Sequence, residues 1–118
     1  AELSKPRNYK FLKKYFALMN IGFDSFEPAI EDGKFGTPEK NFNQFREDIT
    51  ILSGYYEQYV RLNGDIVTRA KSISFASMSD EDFEKLYSAT INVILKHVLK
   101  NHSKADLDNQ VNAIMEFA

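Results

Sequence analysis

Apolar residues recur at helical spacing near the start of the chain. At 100° per residue, the side chains between residues 9 and 24 separate into an apolar face and a basic face. Asn8 suits the N-cap position and Pro6 lies just outside it, so we expect a helix from about Tyr9 to Asp24. The apolar face, which we expect to be buried, comprises Phe11, Leu12, Tyr15, Phe16, Leu18, Met19, Phe23 and Phe26.

A second helix is predicted after a loop of charges and helix breakers at residues 31–36. Thr37, Pro38 and Glu39 suit the cap, the first helical position and the acidic first turn, so we expect the helix to start near Pro38. Gly54 supplies its end. The apolar positions of this helix step by three, four and three residues: Phe42, Phe45, Ile49 and Leu52.

The period then changes to that of a β-hairpin. Residues 55–61 and 66–75 are rich in aromatic and β-branched residues, and Asn63-Gly64 between them is a strong hairpin signal. A two-residue turn would place Val60 opposite Val67 and Tyr59 opposite Thr68. Tyr56, Arg69 and Lys71 would then share one face. That face is either a ligand surface or a sheet edge guarded by charge.

Two more helices are predicted after the hairpin. Ser79 and Asp82 form a capping-box pattern, with Met78 and Phe83 spaced as a hydrophobic staple. The following apolar positions keep the helical period for almost five turns, which is typical of a central core helix, and Ser103 caps a last helix with a narrower stripe. The stripe comprises Leu107, Val111, Ile114 and Met115. We therefore predict an α+β fold, mainly helical, with about four helices and one β-hairpin between helices two and three.

Composition indicates a single domain over residues 1–118. The 118 residues are 43% apolar and 14% aromatic, enough for one core. Cysteine is absent, which excludes disulfides, thiolate nucleophiles and cysteine zinc sites and fits a reducing compartment such as the cytoplasm. No apolar run approaches the ~18 residues of a membrane span. We expect no membrane role.

The net charge of −2 conceals a basic N-terminal region. Residues 1–14 contain five basic residues and one acid, a net charge of +4, which leaves −6 for residues 15–118. At 0.15 M salt electrostatic fields decay over about 8 Å, so a local basic patch can attract phosphate even on an acidic protein.

Other candidate chemistry has structural explanations. The acids Asp80, Glu81, Asp82 and Glu84 are what the dipole of a helix N-terminus favours. His97 and His102 have poor spacing for a shared metal ion and no third ligand. The serines at 72, 74 and 77 have no paired histidine and acid, and residues 33–36 lack the spacing of a phosphate-binding loop. We expect no catalytic, metal or cofactor site.

The basic stripe of the first helix is the strongest candidate site. Arg7, Lys10 and Lys14 fall within about 60° of one another around the helix, with Lys13 on the flank, so their charges could meet consecutive phosphates. The alternative is the solvated face of an amphipathic helix.

The chain resembles a family of uncharacterised phage and prophage proteins over most of its length. The residues that carry this resemblance are Arg7-Asn8, Lys13 to Asn20, Ser53 to Tyr56, Lys71 to Phe75, Met78 and Phe83 to Ala89. In that family a β-rich segment precedes the Arg-Asn helix. The resemblance thus implies that this domain is the C-terminal part of a longer phage protein.

The Arg-Asn, basic and aromatic-Ala-Leu pattern is also similar to the start of the NinB (Orf) family of phage recombination mediators, which bind single-stranded DNA. This similarity covers some 14 residues, from Arg7 to Asn20. It implies that DNA contacts are made by Arg7, Asn8, Lys10, Lys13 and Lys14.

We therefore expect a phage-encoded nucleic-acid-binding accessory protein of the bacterial cytoplasm, which is not an enzyme. Single-stranded DNA in recombination or replication is its expected ligand. Its expected partners are nucleic acid and phage or host recombination proteins. On the hairpin, Tyr56, Arg69 and Lys71 would add stacking or charge. The alternative is a protein–protein interaction module that modulates a host complex through exposed Phe35 and tyrosine side chains. A third hypothesis, a nuclease or other metal enzyme, would need convergent carboxylates.

Overall fold

The structure is a computed structural model that describes residues 6–28 and 36–116, with side chains from Tyr9 onward. The elements in chain order are α1 (Pro6–Ser25), α2 (Phe42–Leu52), β1 (Tyr56–Val60), β2 (Ile66–Ala70), a 3₁₀ turn (Phe75–Ser77), α3 (Asp80–His97) and α4 (Lys104–Glu116). The two strands form one antiparallel hairpin between α2 and α3. The predicted α+β architecture is confirmed.

Both early helices begin at different residues from those predicted. α1 starts at Pro6, so Asn8 lies inside the helix rather than at its N-cap, and proline occupies an end position where its missing N–H costs no hydrogen bond. α2 starts at Phe42 because Asn41, not Thr37, is its N-cap: the Asn41 side chain accepts a hydrogen bond from the Gln44 N–H at 2.9 Å. The predicted loop at residues 31–36 lies outside the described residues except for Gly36.

Gly54 ends α2 as predicted. Its φ of +97° is a left-handed conformation that glycine adopts without strain. The Gly54 N–H bonds the Ile51 carbonyl at 2.9 Å and the Tyr55 N–H bonds the Thr50 carbonyl at 3.2 Å. These two bonds form a Schellman motif, which satisfies carbonyls that a helix end leaves free and turns the chain into β1.

The predicted caps of the last two helices are confirmed. The Ser79 hydroxyl accepts from the Asp82 N–H at 3.0 Å at the start of α3. At α4, Ser103 and Asp106 bond reciprocally: the Ser103 hydroxyl accepts from the Asp106 N–H at 3.1 Å, and the Asp106 carboxylate accepts from the Ser103 N–H at 2.9 Å. Hydrogen bonds from the backbone and the side chain of Ser103 to the Asp106 carboxylate lower the pKa of Asp106.

The apolar face of α1 forms the centre of the core. Phe11 stacks on Phe83 of α3 at 4.4 Å between ring centroids with an interplanar angle of 6°. Eleven residues further along both helices, α1 and α3 meet again, because a β-carbon at Gly22 would lie 3.1 Å from Ile94 Cδ1. The two helices therefore run parallel, and the glycine permits their close approach. Leu107 and Val111 of α4 are also fully buried in this core.

α2 packs antiparallel to α1. The Phe26 and Phe45 rings lie 5.3 Å apart at one end. At the other end the buried Tyr15 hydroxyl lies 3.2 Å from Thr50 Oγ1. Thr50 donates its own proton to the Arg46 carbonyl at 2.7 Å, so the tyrosine is the donor in that pair.

Some predicted apolar positions are not buried. Leu12 is 38% exposed, Leu52 55% and Ile114 44%, because α1, α2 and α4 are each covered on a narrower face than their sequence stripes suggest. Strand β2 ends at Ala70 rather than Phe75, and Phe75 instead starts the 3₁₀ turn and packs between Tyr15 and Phe83.

The hairpin is confirmed but its predicted register is wrong. Val60 lies opposite Ile66 and Tyr59 opposite Val67, one residue away from the predicted pairs. The connection spans residues 61–65 instead of two residues: the Arg61 N–H bonds the Asp65 carbonyl at 2.7 Å, and the Asn63 side chain accepts from the Asp65 N–H at 3.0 Å. Gly64, at φ +94°, supplies the left-handed position of this longer loop.

The C-terminal end of α1 is capped by a side chain from outside the helix. Lys40 Nζ donates to the Phe23 carbonyl at 2.9 Å and to the Phe26 carbonyl at 3.2 Å, and it lies 4.7 Å from the Phe23 ring centroid. A cation at this end stabilises the helix because the last carbonyls carry partial negative charge.

We predict that Lys40→Met lowers the free energy of unfolding by about 1 kcal/mol, since it keeps the aliphatic stem but removes the charged donor. Urea unfolding followed by circular dichroism measures the change. Lys85→Met is the matched control, because Lys85 is an exposed lysine of α3 with no hydrogen bond to a described residue. Equal destabilisation by the two variants would contradict the capping role.

Candidate nucleic-acid interface

Three lysines lie along one flank of α1. Lys10 is exposed, whereas Lys13 and Lys14 are half-buried because their stems lie against tyrosine rings. Lys13 Nζ is 5.3 Å from the ring centroid of Tyr9, and Lys14 Nζ is 4.5 Å from that of Tyr87. No carboxylate of the described residues forms an ion pair with these three ammonium groups. We call Lys10, Lys13 and Lys14 the lysine flank.

Arg7 and Asn8, the other two predicted helix contacts, lie on the backbone of α1. Their side chains are outside the described residues. The lysine flank is therefore the part of the predicted basic stripe whose position the structure describes.

The ring of Tyr87 lies beneath the ammonium group of Lys14. The ring is 97% removed from solvent and packs on Phe83 of the same helix at 5.6 Å. Burial raises the pKa of Tyr87, and the negative charge of Asp108 on α4 raises it further. The hydroxyl therefore stays protonated at neutral pH, and Lys14 lies over a neutral aromatic ring, which is the geometry of a cation–π contact.

The predicted hairpin site is not assembled as expected. The register pairs Tyr56 with Ala70 and Arg69 with Glu57, and opposed residues share a face, so Tyr56 and Arg69 lie on opposite faces of the hairpin. Arg69 is also neutralised, because its Nε lies 2.8 Å from Glu47 Oε2 of α2. The one-residue error in register is the reason, since it moves every side chain of one strand to the other face.

Arg69 and Lys71 do lie together, in a cleft between α1, α2 and the end of β2. The cleft measures about 520 Å³ and is walled by Leu12 and Phe16 of α1 and by Arg46 of α2. The Arg46 guanidinium lies 5.9 Å from the Phe16 ring centroid and has no described carboxylate partner. We call this the α1–α2–β2 cleft.

Arg46 is the residue of this cleft that the sequence reasoning missed. Its position, directly after the buried Phe45, gives it no periodic signal of its own. Arg46 and Lys71 line the same cleft because α2 packs against β2. Local sequence does not encode how these two elements are placed relative to each other. Glu47 makes the contact between them: its carboxylate accepts from the Ala70 N–H at 3.2 Å as well as pairing with Arg69.

The lysine flank and the cleft lie on different sides of α1. Phe16, which walls the cleft, and Lys14, which lies over Tyr87, are about 160° apart around the helix. The solvent side of α1 connects them: Tyr9 is 56% exposed and Leu12 is 38% exposed. A ligand that contacted both basic surfaces would have to cross α1 over these two residues.

The described residues hold no group of three histidine, cysteine or acidic side chains placed to bind a metal ion. Within the same ranges, 6–28 and 36–116, no helix is long and apolar enough to cross a membrane.

The fold and these surfaces define a small α+β domain with a basic-aromatic helix at its surface. The chain belongs to the family described as Protein of unknown function (DUF1367), whose model matches residues 1–33 and 30–117. No curated protein and no solved structure matches the chain.

The raised pKa of Tyr87 predicts a loss of stability at high pH. Above pH 10 the unfolded chain releases the phenol proton while the folded chain retains it, so the free energy of unfolding falls as pH rises through that range. Tyr87→Phe removes this contribution, and the wild type should lose up to about 1.4 kcal/mol per pH unit more than the variant. Urea unfolding between pH 9 and 11 measures the two slopes. Parallel slopes would show that the buried hydroxyl does not resist ionisation.

Proposed function

We propose that this domain binds single-stranded nucleic acid, as a phage accessory protein in recombination or replication within the bacterial cytoplasm, and that it is not an enzyme. The observation that carries the proposal is the lysine flank: three cations within five residues of α1, none of them paired with a described carboxylate. This arrangement is notable on a chain whose net charge is −2, where acids are in excess. The resemblance of the same segment to NinB and to phage proteins supports the biological setting.

Phosphate binding follows from the charges of the lysine flank. Each ammonium that contacts a phosphate releases condensed counterions, which favours binding at low salt. Lys10 is exposed to solvent, and the ammonium groups of Lys13 and Lys14 lie over tyrosine rings. Arg7, another of the predicted contacts, lies about one helical turn before Lys10 on the backbone of α1.

An exposed aromatic ring beside the cations favours single strands over duplex. Tyr9 is 56% exposed next to Lys13, and an unpaired base can stack on such a ring whereas a base inside a duplex cannot. Stacking is tolerant of sequence, so binding would show little base preference.

The α1–α2–β2 cleft offers a second contact for the same strand. Arg46 and Lys71 carry cationic groups without described carboxylate partners at its edge, and Phe16 and Phe75 contribute aromatic wall. A strand that leaves the lysine flank and crosses α1 over Tyr9 and Leu12 would enter this cleft.

The first test replaces the lysine flank by Lys10/Lys13/Lys14→Ala. Fluorescence anisotropy with a labelled single-stranded DNA should show roughly 10- to 50-fold weaker binding at 0.15 M salt, because about three phosphate contacts are lost. The slope of log affinity against log salt should fall in magnitude by about 2, at about 0.7 per contact.

Lys85/Lys96/Lys100→Ala is the matched control, since it removes the same charge from exposed positions on and after α3. If the two triple variants lost the same affinity for single-stranded DNA, net charge alone would account for the effect. Salt-insensitive binding by the wild type, or an absence of binding by a chain that also carries the expected upstream segment, would refute the proposal.

The second test concerns the cleft. Arg46→Gln and Lys71→Gln should each reduce the salt slope by about 0.7, whereas the double variant Glu47→Gln/Arg69→Gln should change it little because it removes both charges of an ion pair. The same anisotropy titrations measure all three variants. If the double variant weakened binding as much as Arg46→Gln, the cleft would not act as a phosphate contact.

One observation favours the second candidate function, a protein-interaction module for phage or host recombination proteins. The hairpin exposes apolar side chains to solvent, among them Val60 at 75%, Leu62 fully and Ile66 at 66%. Phe35, the other residue predicted for such a surface, lies outside the described residues. An interaction module would retain partner binding in the Lys10/Lys13/Lys14→Ala variant.

A further inference from the structure

We propose that β1 is a dimerisation strand: its free edge pairs antiparallel with β1 of a second copy of this chain, about a two-fold axis at Gln58, to form a four-stranded sheet. This inference is independent of nucleic-acid binding. It rests on the direction of the backbone groups of β1, on the exposure of the strand and on the complementarity between its side chains and those of an antiparallel second copy of the strand.

The two edges of the hairpin are in different environments. At the outer edge of β2 the Ala70 N–H donates to Glu47 of α2, and Arg69 and Lys71 place charged side chains beside it. All five residues of β1 are exposed. The sequence of β1, Tyr-Glu-Gln-Tyr-Val, contains neither lysine nor proline, the residues that commonly protect an open edge from pairing.

The pattern of hydrogen bonds between β1 and β2 identifies which backbone groups of β1 point away from β2. The Lys71 N–H bonds the Tyr55 carbonyl at 3.0 Å, and the Arg61 N–H bonds the Asp65 carbonyl at 2.7 Å. The odd-numbered residues of this segment therefore face β2, and Tyr56, Gln58 and Val60 direct their N–H and C=O groups outward. Within the described residues these outward groups have no hydrogen-bond partner.

A two-fold axis at Gln58 satisfies all of these groups at once. It pairs Gln58 with itself and Tyr56 with Val60 of the partner subunit, and each is a hydrogen-bonded pair in the antiparallel pattern. Moving the axis by one residue toward Glu57 leaves Val60 unpaired and places Glu57 opposite its own copy, which is unfavourable for like charges.

Side chains are complementary on both faces in this register. On one face, Tyr56 lies opposite the partner's Val60, which is itself paired with Ile66 within its own hairpin. Tyr56, the partner's Val60 and the partner's Ile66 would thus form a row of aromatic and β-branched side chains across three of the four strands, with Ala70 at its end, covering surface that is 47–75% exposed in the single chain. On the other face, Glu57 lies opposite the partner's Tyr59, and the Tyr59 hydroxyl already donates to Glu57 within one chain.

The interface is small, because it comprises two five-residue strands and the side chains beside them. Interfaces below about 1,200 Å² are weak, so a dimer that forms only at high protein concentration is expected. Sedimentation velocity from 5 to 500 µM should show an average mass that rises from 13.6 kDa toward twice that value.

A charge-reversal pair tests the register. Because Gln58 faces itself across the axis, Gln58→Glu and Gln58→Lys should each raise the dimer dissociation constant at least tenfold, through repulsion of like charges. An equimolar mixture of the two variants should regain a dimer at least as tight as the wild type, since a carboxylate then faces an ammonium.

Gln110→Glu and Gln110→Lys are the matched controls. They make the same exchanges at an exposed glutamine of α4, outside the β1 edge, whereas a change at Thr68 would disturb the Gln58 side chain, whose Nε2 donates to Thr68 Oγ1 at 3.2 Å. These variants should dimerise like the wild type, and circular dichroism of every variant should match the wild-type spectrum.

Three results would overturn the proposal: a wild-type chain that stays monomeric at 500 µM, a dimer indifferent to both Gln58 substitutions, or a mixture that fails to restore dimerisation. A monomeric chain would leave the β1 edge to a different protein. A dimer without restoration would place its interface elsewhere.

Discussion

The stacking of Phe11 on Phe83 is the contact on which the rest of the structure depends. With its rings 4.4 Å apart and nearly parallel, it fixes the rotation of α1 about its own axis against α3. That rotation directs Leu18 and Met19 into the core and leaves the lysine flank at the surface beside Tyr87. The absent side chain at Gly22 allows the same helix pair to stay close about three helical turns further on.

The hairpin is attached to this core by one edge. Glu47 of α2 contacts both the backbone of Ala70 and the side chain of Arg69, which fixes β2 and leaves β1 at the periphery. This single carboxylate has two functional effects. It neutralises one cation of the α1–α2–β2 cleft, so Arg46 and Lys71 are left as the cations there without a carboxylate partner among the described residues. It also attaches β2 rather than β1 to α2.

Predictions from local sequence succeeded where one short segment contains its own determinants. The caps at Ser79 and Ser103, the glycine at the end of α2 and the existence of the hairpin all depend on bonds within a few residues. The predicted start of α2 and the predicted hairpin register were wrong for a related reason. Several nearby polar residues could serve as the helix cap or form the turn, and a difference of one residue changes the outcome. On α1 the three predicted lysines lie along one flank of the helix, whereas on the hairpin Tyr56 does not share a face with Arg69 and Lys71.

The sequence by itself determined that the chain is a mainly helical α+β domain and that its basic residues concentrate on the first helix, because periodicity, capping and charge are local properties. Only the tertiary structure decided which cations remain unpaired, that Arg46 joins Lys71 in one cleft, that Lys40 caps α1, and that β1 rather than β2 is the open edge. Each of these depends on side chains distant in sequence meeting across packed elements, and their contacts are fixed by the geometry of the whole core.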